Sequence, residues 1–153
     1  MKILSIGNSF SEDAQRWLHA IAQLHGVDIQ CANLYIGGCA QRTHYLNILD
    51  DMPNYELQVN GTHTSIKVSI RQALRSEDWD VITFQQASHQ SARFETYIPF
   101  IQELSAYVRK YCPKAKLVIH QTWAYEDGSD RLYHVAGYEK AEDMKSEYLW
   151  VVI

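Results

Sequence analysis

The stretch Lys2-Ile3-Leu4-Ser5-Ile6-Gly7-Asn8-Ser9-Phe10-Ser11 decides the fold, because the backbone pattern changes within it. A short apolar run from Lys2 to Ile6 ends at a glycine, which predicts a buried strand delivered to a tight turn. Apolar residues then recur at helical spacing, which predicts a helix with Ser11 or Asp13 as N-cap and Gly26 as its stop. The chain therefore opens with a strand, a turn and a helix.

The same order of strand and helix recurs along the chain. Further strands are predicted over Val27–Tyr35, Trp79–Phe84 and Leu117–Ile119, and further helices over Gln41–Asp51, Ile66–Leu74, Tyr97–Tyr111 and Ala136–Tyr148. Between them, Asn60-Gly61 predicts a hairpin of 55–59 with 62–66, as an excursion from the core. Alternating strands and helices pair in parallel, so we expect a three-layer α/β/α sandwich with a central parallel sheet, in one domain over residues 1–153.

Composition and charge exclude several classes of protein. Apolar residues make up 46% and charged residues 21% of the chain, as in ordinary globular domains. The net charge is −4 and the Lys and Arg residues are scattered, so the sequence predicts no basic patch that would bind the phosphates of a nucleic acid. No apolar run is long enough for a membrane span or a signal-peptide core. We expect a cytoplasmic protein, or a secreted or periplasmic one if a signal precedes this sequence.

Cysteine and histidine patterns give no sign of a disulfide framework or of a metal site. The three cysteines form no CxxC pair, and the seven histidines form no HExxH or other ligand pattern. We therefore expect a reducing compartment and no metal.

Four loops leave the predicted carboxyl ends of the strands, where ligands bind in parallel α/β sheets: 7–11, 36–39, 85–91 and 121–127. In the first, Ser9 follows a strand and precedes a helix, where backbone N–H groups and the helix dipole stabilise an anion. Ser9 is thus placed like a nucleophile, although Asn8, Ser9 and Ser11 would also serve as a plain turn and helix cap. A phosphate-binding turn is disfavoured, because neither GxGxxG nor GxxxxGK[ST] occurs.

The other three loops offer groups that would support acyl chemistry. Gly37-Gly38 lets a backbone N–H approach a reacting oxygen, unless it is only a turn. Gln85-Gln86 ends a central strand, and a side-chain amide there would complete an oxyanion hole or bond to loop backbone. The segment 123–125, Trp-Ala-Tyr, would form an aromatic wall for a sugar or acyl group, or a core edge.

Together, 7–11, 37–38 and 85–88 resemble the first three sequence blocks of the SGNH/GDSL hydrolase superfamily. They are especially similar to an uncharacterised bacterial branch with Ile-Gly-Asn-Ser-Phe-Ser, Tyr-Ile-Gly-Gly-Cys, Phe-Gln-Gln and His-Gln-Thr-Trp-Ala-Tyr, which stand here at 6–11, 35–39, 84–86 and 120–125.

The resemblance implies a serine esterase that cleaves acyl esters, often acetyl groups on carbohydrates, without a cofactor. Ser9 would be the nucleophile, and the N–H groups of Ser9 and Gly38 would be oxyanion donors. Gln86 would replace the family's asparagine, with Gln85 and Ser88 open to the same role. The residues expected to contact a small-molecule ester substrate are Asn8, Gln85, Ser88 and Trp123.

The family's fourth block, Asp-x-x-His, does not occur between Trp123 and Ile153. Asp130 and His134 are one residue too far apart and directly follow the fourth strand, so we do not expect His134 to be the base. We expect instead that the domain is C-terminally incomplete, without its last strand and helix, and that its apolar edge favours self-association. The alternatives are a non-catalytic carbohydrate-binding or interaction domain and, less favoured, a flavodoxin-like nucleotide binder.

Overall fold

A six-stranded sheet is the centre of the computed structural model, which describes residues 1–147. Its strands are β1 (Lys2–Gly7), β2 (Gln30–Tyr35), β3 (Tyr55–Val59), β4 (Thr62–Val68), β5 (Val81–Gln85) and β6 (Lys116–His120). They lie in the order β4-β3-β2-β1-β5-β6. Strands β2, β1, β5 and β6 are parallel neighbours, and β3 and β4 are antiparallel.

Helices flank the sheet. They are α1 (Ser9–Arg16), α2 (Leu18–Leu24), α3 (Gln41–Leu49), α4 (Ile70–Leu74), α5 (Phe100–Tyr111) and α6 (Ala141–Glu147), with short 3-10 turns at Ser88–Gln90 and Phe94–Thr96. The first two pack together against β1 and β2, and α3, α4 and α5 pack on one another. None of these helices is long and apolar enough to cross a bilayer. The expected three-layer α/β fold is confirmed, with a sheet that is mostly rather than wholly parallel.

The largest part of the core lies between the sheet and the α4–α5 layer. Leu4 and Ile82 of the sheet are fully buried in one cluster with Leu104 and Val108 of α5. Each such side chain contributes roughly 1.5–3 kcal/mol through burial. The central strands β1 and β5 are thereby held in place, and these are the strands whose carboxyl ends carry Ser9 and Gln85.

The hairpin prediction is right about the turn and wrong about its position. Asn60 and Gly61 both have positive φ angles, 51° and 80°, as the predicted turn requires. The hairpin is not an excursion, because β3 pairs with β2 from Ala32 opposite Val59 to Tyr35 opposite Glu56. The free edge of β2 needs a partner for its backbone groups, and the hairpin provides one.

The predicted helix over Ile66–Leu74 is also wrong in its first part. Strand β4 continues to Val68, and α4 begins only at Ile70. A capping box fixes this start: Ser69 Oγ accepts from Gln72 N, and Gln72 Oε1 accepts from Ser69 N at 2.8 Å.

Two other helices differ from their predicted bounds. Asn8, rather than Ser11 or Asp13, caps the first helix, because its Oδ1 accepts from the Phe10 N–H at 3.2 Å. In the C-terminal part, the predicted helix Ala136–Tyr148 is replaced by a π-helical turn, Arg131–Ala136, and α6. Gly137 separates them with a left-handed φ of 80°. Tyr148 lies outside the described residues.

Candidate active site

A cavity of about 480 Å³ opens at the carboxyl edge of the parallel strands, where the loops after β1, β2 and β5 meet. It is lined by Asn8, Ser9, Phe10, Gly38, Ala87, Ser88, His89, Tyr125, Arg131 and Val135. The four predicted loops thus contribute to one cavity, except that the loop after β6 contributes Tyr125 rather than Trp123. Further wall residues come from the π-helical turn.

Ser9 is the exposed hydroxyl in this cavity. It is the first residue of α1, directly after the N-cap Asn8, so its N–H group belongs to the positive end of the helix dipole. Among residues 1–147, no hydrogen-bond partner is found for its hydroxyl or its N–H. Both groups are therefore available to a substrate.

Asn8 joins the three loops that surround Ser9. Its Nδ2 donates to Cys39 O at 3.0 Å and to Gln86 O at 3.4 Å, while its Oδ1 accepts from the N–H of Phe10 and from Gln85 Nε2 at 2.5 Å. The side chain is buried, at 1% exposure. Asn8 therefore forms part of the buried cavity floor as a positioning residue, and its amide has no N–H left for a substrate.

Gly38, in the loop after β2, lines the same cavity as Ser9. Its φ is 63°, which glycine adopts without strain, and a Cβ atom there would meet no atom within 4 Å. The next residue is fixed by the bond from Asn8 to Cys39 O and by its own N–H to Ile36 O at 3.2 Å. No described residue accepts from the Gly38 N–H. The loop thus holds a second unengaged backbone donor beside Ser9.

The Gln86 side chain does not reach the cavity, contrary to its predicted role. Its Oε1 accepts from the N–H groups of Gln41 and Ala87, both at 2.9 Å, and its Nε2 donates to Thr96 O and Oγ1 at 3.0 and 3.1 Å. Both amide protons are engaged, so none is left for an oxyanion. Gln86 instead caps α3, whose own N-cap residue, Ala40, makes no side-chain bond.

Of the four predicted substrate contacts, Asn8 and Ser88 line the cavity, and Gln85 and Trp123 do not. Ser88 lines the cavity, with its Oγ 2.5 Å from Tyr125 OH. Gln85 is fully buried and bonds to Asn8, so it helps hold Asn8 in the floor without lining the cavity itself. Trp123 is 60% exposed and packs on Phe10 with ring centroids 4.5 Å apart, so it supports the wall from outside.

Comparison with known proteins identifies the family to which this chain belongs. Residues 2–150 match the domain of unknown function DUF4886. The chain belongs to the DUF4886 family. A crystal structure of a DUF4886 family protein from Bacteroides uniformis is 32% identical, with a TM-score of 0.89. That comparison covers 99% of this chain and 61% of the other, so the chain spans less than two thirds of the length of this relative.

A second solved structure shares the fold at lower identity. It is a protein from Slackia heliotrinireducens described as a candidate SGNH hydrolase, 23% identical, with a TM-score of 0.62 over 99% of this chain and 71% of the other. Comparison with curated proteins gave no match. These comparisons show the DUF4886 domain and its α/β fold.

A buried cysteine and a buried histidine lie next to each other in the chain segment that follows Gly38, but this pair is not a catalytic dyad. Cys39 Sγ lies 3.6 Å from His44 Nδ1, which also lies 2.8 Å from Tyr55 OH. Burial raises the pKa of the Cys39 thiol to about 12 and lowers the pKa of His44 to about 3. Both groups are neutral at pH 7, so this thiol is a poor nucleophile.

Sequence reasoning missed His89, Arg131 and Val135, all of which line the cavity. His89 had a detectable signal, since it lies within the predicted loop 85–91. Arg131 and Val135 had none, because their position depends on how the π-helical turn packs. His134 is exposed on that turn, beside Tyr133, and is not among the lining residues. Residues 1–147 contain no cluster of three or more His, Cys, Asp or Glu that would hold a metal ion.

Proposed function

We propose that this domain is an SGNH-type serine hydrolase that cleaves acyl esters, with Ser9 as nucleophile. The observation that carries the proposal is the shared cavity, which Ser9 and Gly38 both line and in which their N–H groups are bonded to no described residue. The sequence blocks around Ser9 and Gly38 and the fold shared with the Slackia protein support the same assignment.

In the proposed reaction, Ser9 Oγ attacks the ester carbonyl carbon while a base removes its proton. The carbonyl oxygen becomes an oxyanion and accepts hydrogen bonds from the Ser9 and Gly38 N–H groups. The C–O bond to the alcohol then breaks, the alcohol leaves with a proton, and water hydrolyses the acyl-serine ester. Asn8 and Gln86 hold the loops in register, and neither contacts the reacting atoms.

The general base is the part of the triad that the described cavity does not supply. His89 is the histidine among the lining residues, and no hydrogen bond joins it to Ser9. We assign the base to an Asp-x-x-His segment of the kind that the SGNH family carries, a pattern that does not occur in residues 1–153. This proposal makes the 153-residue form a nucleophile without its base.

Hydrolysis of p-nitrophenyl acetate tests the proposal. We expect the 153-residue form to be nearly inert, with a turnover on the order of 10⁴ to 10⁶ below that of a form extended through a downstream Asp-x-x-His. In the extended form, Ser9→Ala should abolish the activity, and His134→Ala should leave it within about twofold.

Three outcomes would contradict this account. Activity of the extended form that survives Ser9→Ala would remove the nucleophile. Robust activity of the 153-residue form that His89→Ala or His134→Ala abolishes would assign the base within the chain. No Ser9-dependent hydrolysis in any form, together with saturable sugar binding at the cavity, would favour a carbohydrate-binding domain.

A further inference from the structure

The wall of the Ser9 cavity carries a positive charge that the hydrolytic chemistry does not use. Arg131 and Val135 both line the cavity from the π-helical turn, Arg131–Ala136. The opposite side of that turn is anchored, because Leu132 and Ala136 are buried in one cluster with Met144. The Arg131 guanidinium is therefore carried by a packed turn rather than by a free loop.

No carboxylate neutralises this arginine within the described part of the chain. Among residues 1–147, no ion pair involves Arg131, and no acidic residue lines the cavity. Of the nearby acids, Asp127 accepts from the Ala141 N–H at 2.6 Å, and neither it nor Asp130 lines the cavity. Arg131 is thus a cation among lining residues that include no carboxylate.

The same cavity is otherwise built for an apolar body. Phe10, Ala87 and Val135 contribute apolar surface, and Trp123 holds the Phe10 ring from behind at 4.5 Å between centroids. Apolar and aromatic lining of this kind suits a flat ring, and Ser9 and Arg131 line the same cavity. The volume, about 480 Å³, is enough for a substituted ring but not for a long chain.

We propose that the substrate is an ester that also carries a carboxylate, and that Arg131 binds this carboxylate while Ser9 attacks the ester. The proposal rests on the proposed function for the position of the ester, but the carboxylate contact is testable without catalysis. Guanidinium and carboxylate groups match in geometry and form paired charge-assisted hydrogen bonds. Arg131 is solvent-exposed, so we expect about a tenfold preference rather than a larger one.

Binding to the Ser9→Ala variant of the chain tests this directly, using 3-acetoxybenzoate and its neutral methyl ester as matched probes. In calorimetric titration, we expect the anion to bind about tenfold tighter than the methyl ester. Adding Arg131→Gln should remove that difference by weakening anion binding alone. Adding Arg131→Lys should keep part of the preference, because the charge remains and the paired geometry is lost.

A matched control removes the same charge elsewhere. Arg75 is exposed at the end of α4 and does not line the cavity, so Arg75→Gln should leave the preference unchanged. Equal affinity for the two probes, or a preference that survives Arg131→Gln, would overturn the proposal. A preference that Arg75→Gln abolishes equally would also overturn it, because it would reflect net charge alone.

Kinetics in the extended form separate this inference from the proposed function. If both hold, Ser9-dependent kcat/KM should be about tenfold higher for 3-acetoxybenzoate than for its methyl ester, and Arg131→Gln should equalise the two. If neither ester is hydrolysed but the binding preference still depends on Arg131, the hydrolase assignment fails and the carboxylate site stands.

Discussion

At the scale of single residues, buried amide side chains hold the loops around the cavity together, and backbone N–H groups remain free to bind a ligand. Asn8 and Gln86 each make four hydrogen bonds to protein and are each 1% exposed. A buried amide that is fully engaged could bond to a substrate only by giving up a partner, and unsatisfied buried groups cost about 1–3 kcal/mol each. The Ser9 and Gly38 N–H groups carry no such penalty.

Replacing Gln86 should therefore affect stability. In Gln86→Ala, the buried N–H groups of Gln41 and Ala87 lose their acceptor, and we expect the free energy of unfolding in urea to fall by about 3 kcal/mol. Gln102→Ala, on the exposed face of α5, should change it by less than about 0.5 kcal/mol. A Gln86→Ala variant of normal stability but greatly reduced esterase turnover would restore the oxyanion role.

The buried histidine should make stability depend on pH. Burial lowers the pKa of His44 to about 3 in the folded state, against about 6.5 when unfolded, so the unfolded chain takes up the proton first. The free energy of unfolding should fall as pH drops from about 6.5 toward 3, by about 2–3 kcal/mol between pH 6.5 and 4.5. His44→Gln should lose this part of the slope, and the exposed His25→Gln should retain it. An identical slope in both variants would contradict the account.

At the scale of elements, the hairpin supports the helix that carries Ser9. Gln58 of β3 donates to Glu12 Oε1 of α1 at 2.8 Å, and His63 Nε2 of β4 lies 3.0 Å from the same oxygen. The turn contacts α1 as well, because a Cβ atom on Gly61 would lie 2.3 Å from Arg16 O. The hairpin therefore contacts α1 in its middle, at Glu12, and at its C-terminal end, at Arg16, and we expect it to help hold the helix that begins at Ser9.

Two glycine substitutions separate this contact from backbone strain. Gly61 and Gly26 have similar φ angles, 80° and 69°, but only Gly61 is close to another backbone. We expect Gly26→Ala to lower the free energy of unfolding by about 1 kcal/mol through strain alone. Gly61→Ala should lower it by about 3 kcal/mol and reduce Ser9-dependent turnover in the extended form. Equal effects of the two variants in thermal unfolding would show that the turn does not press on α1.

Across elements, the sequence predicts what is local and misses what is distant. Strand and helix periods predict the four parallel strands of the sheet, and the Gly7–Ser11 turn predicts Ser9 between a strand end and a helix start. The role of Gln86 depends on Gln41, 45 positions away, and that of Asn8 on Gln85, 77 positions away. A single sequence carries no signal for such pairings, and it therefore predicts the strand-end amides as donors to substrate.

At the scale of the whole molecule, an interaction between distant loops creates the site. The loops after β1, β2 and β5 meet because those strands are parallel neighbours, and the π-helical turn closes the cavity from the C-terminal part of the chain. The Bacteroides relative, of which this chain spans 61%, shows that the family includes longer chains. Our assignment of the base and the expected self-association stay predictions.

The most direct test of the central claim is covalent labelling by a fluorophosphonate, read by intact mass and peptide mapping. An activated serine attacks phosphorus and expels fluoride, so one adduct marks the nucleophile. In the form extended through a downstream Asp-x-x-His, we predict one adduct, located on Ser9, absent in Ser9→Ala and retained in Ser88→Ala, whose hydroxyl lines the same cavity. An adduct on Ser88, or labelling that persists in Ser9→Ala, would contradict the assignment of Ser9 as the nucleophile.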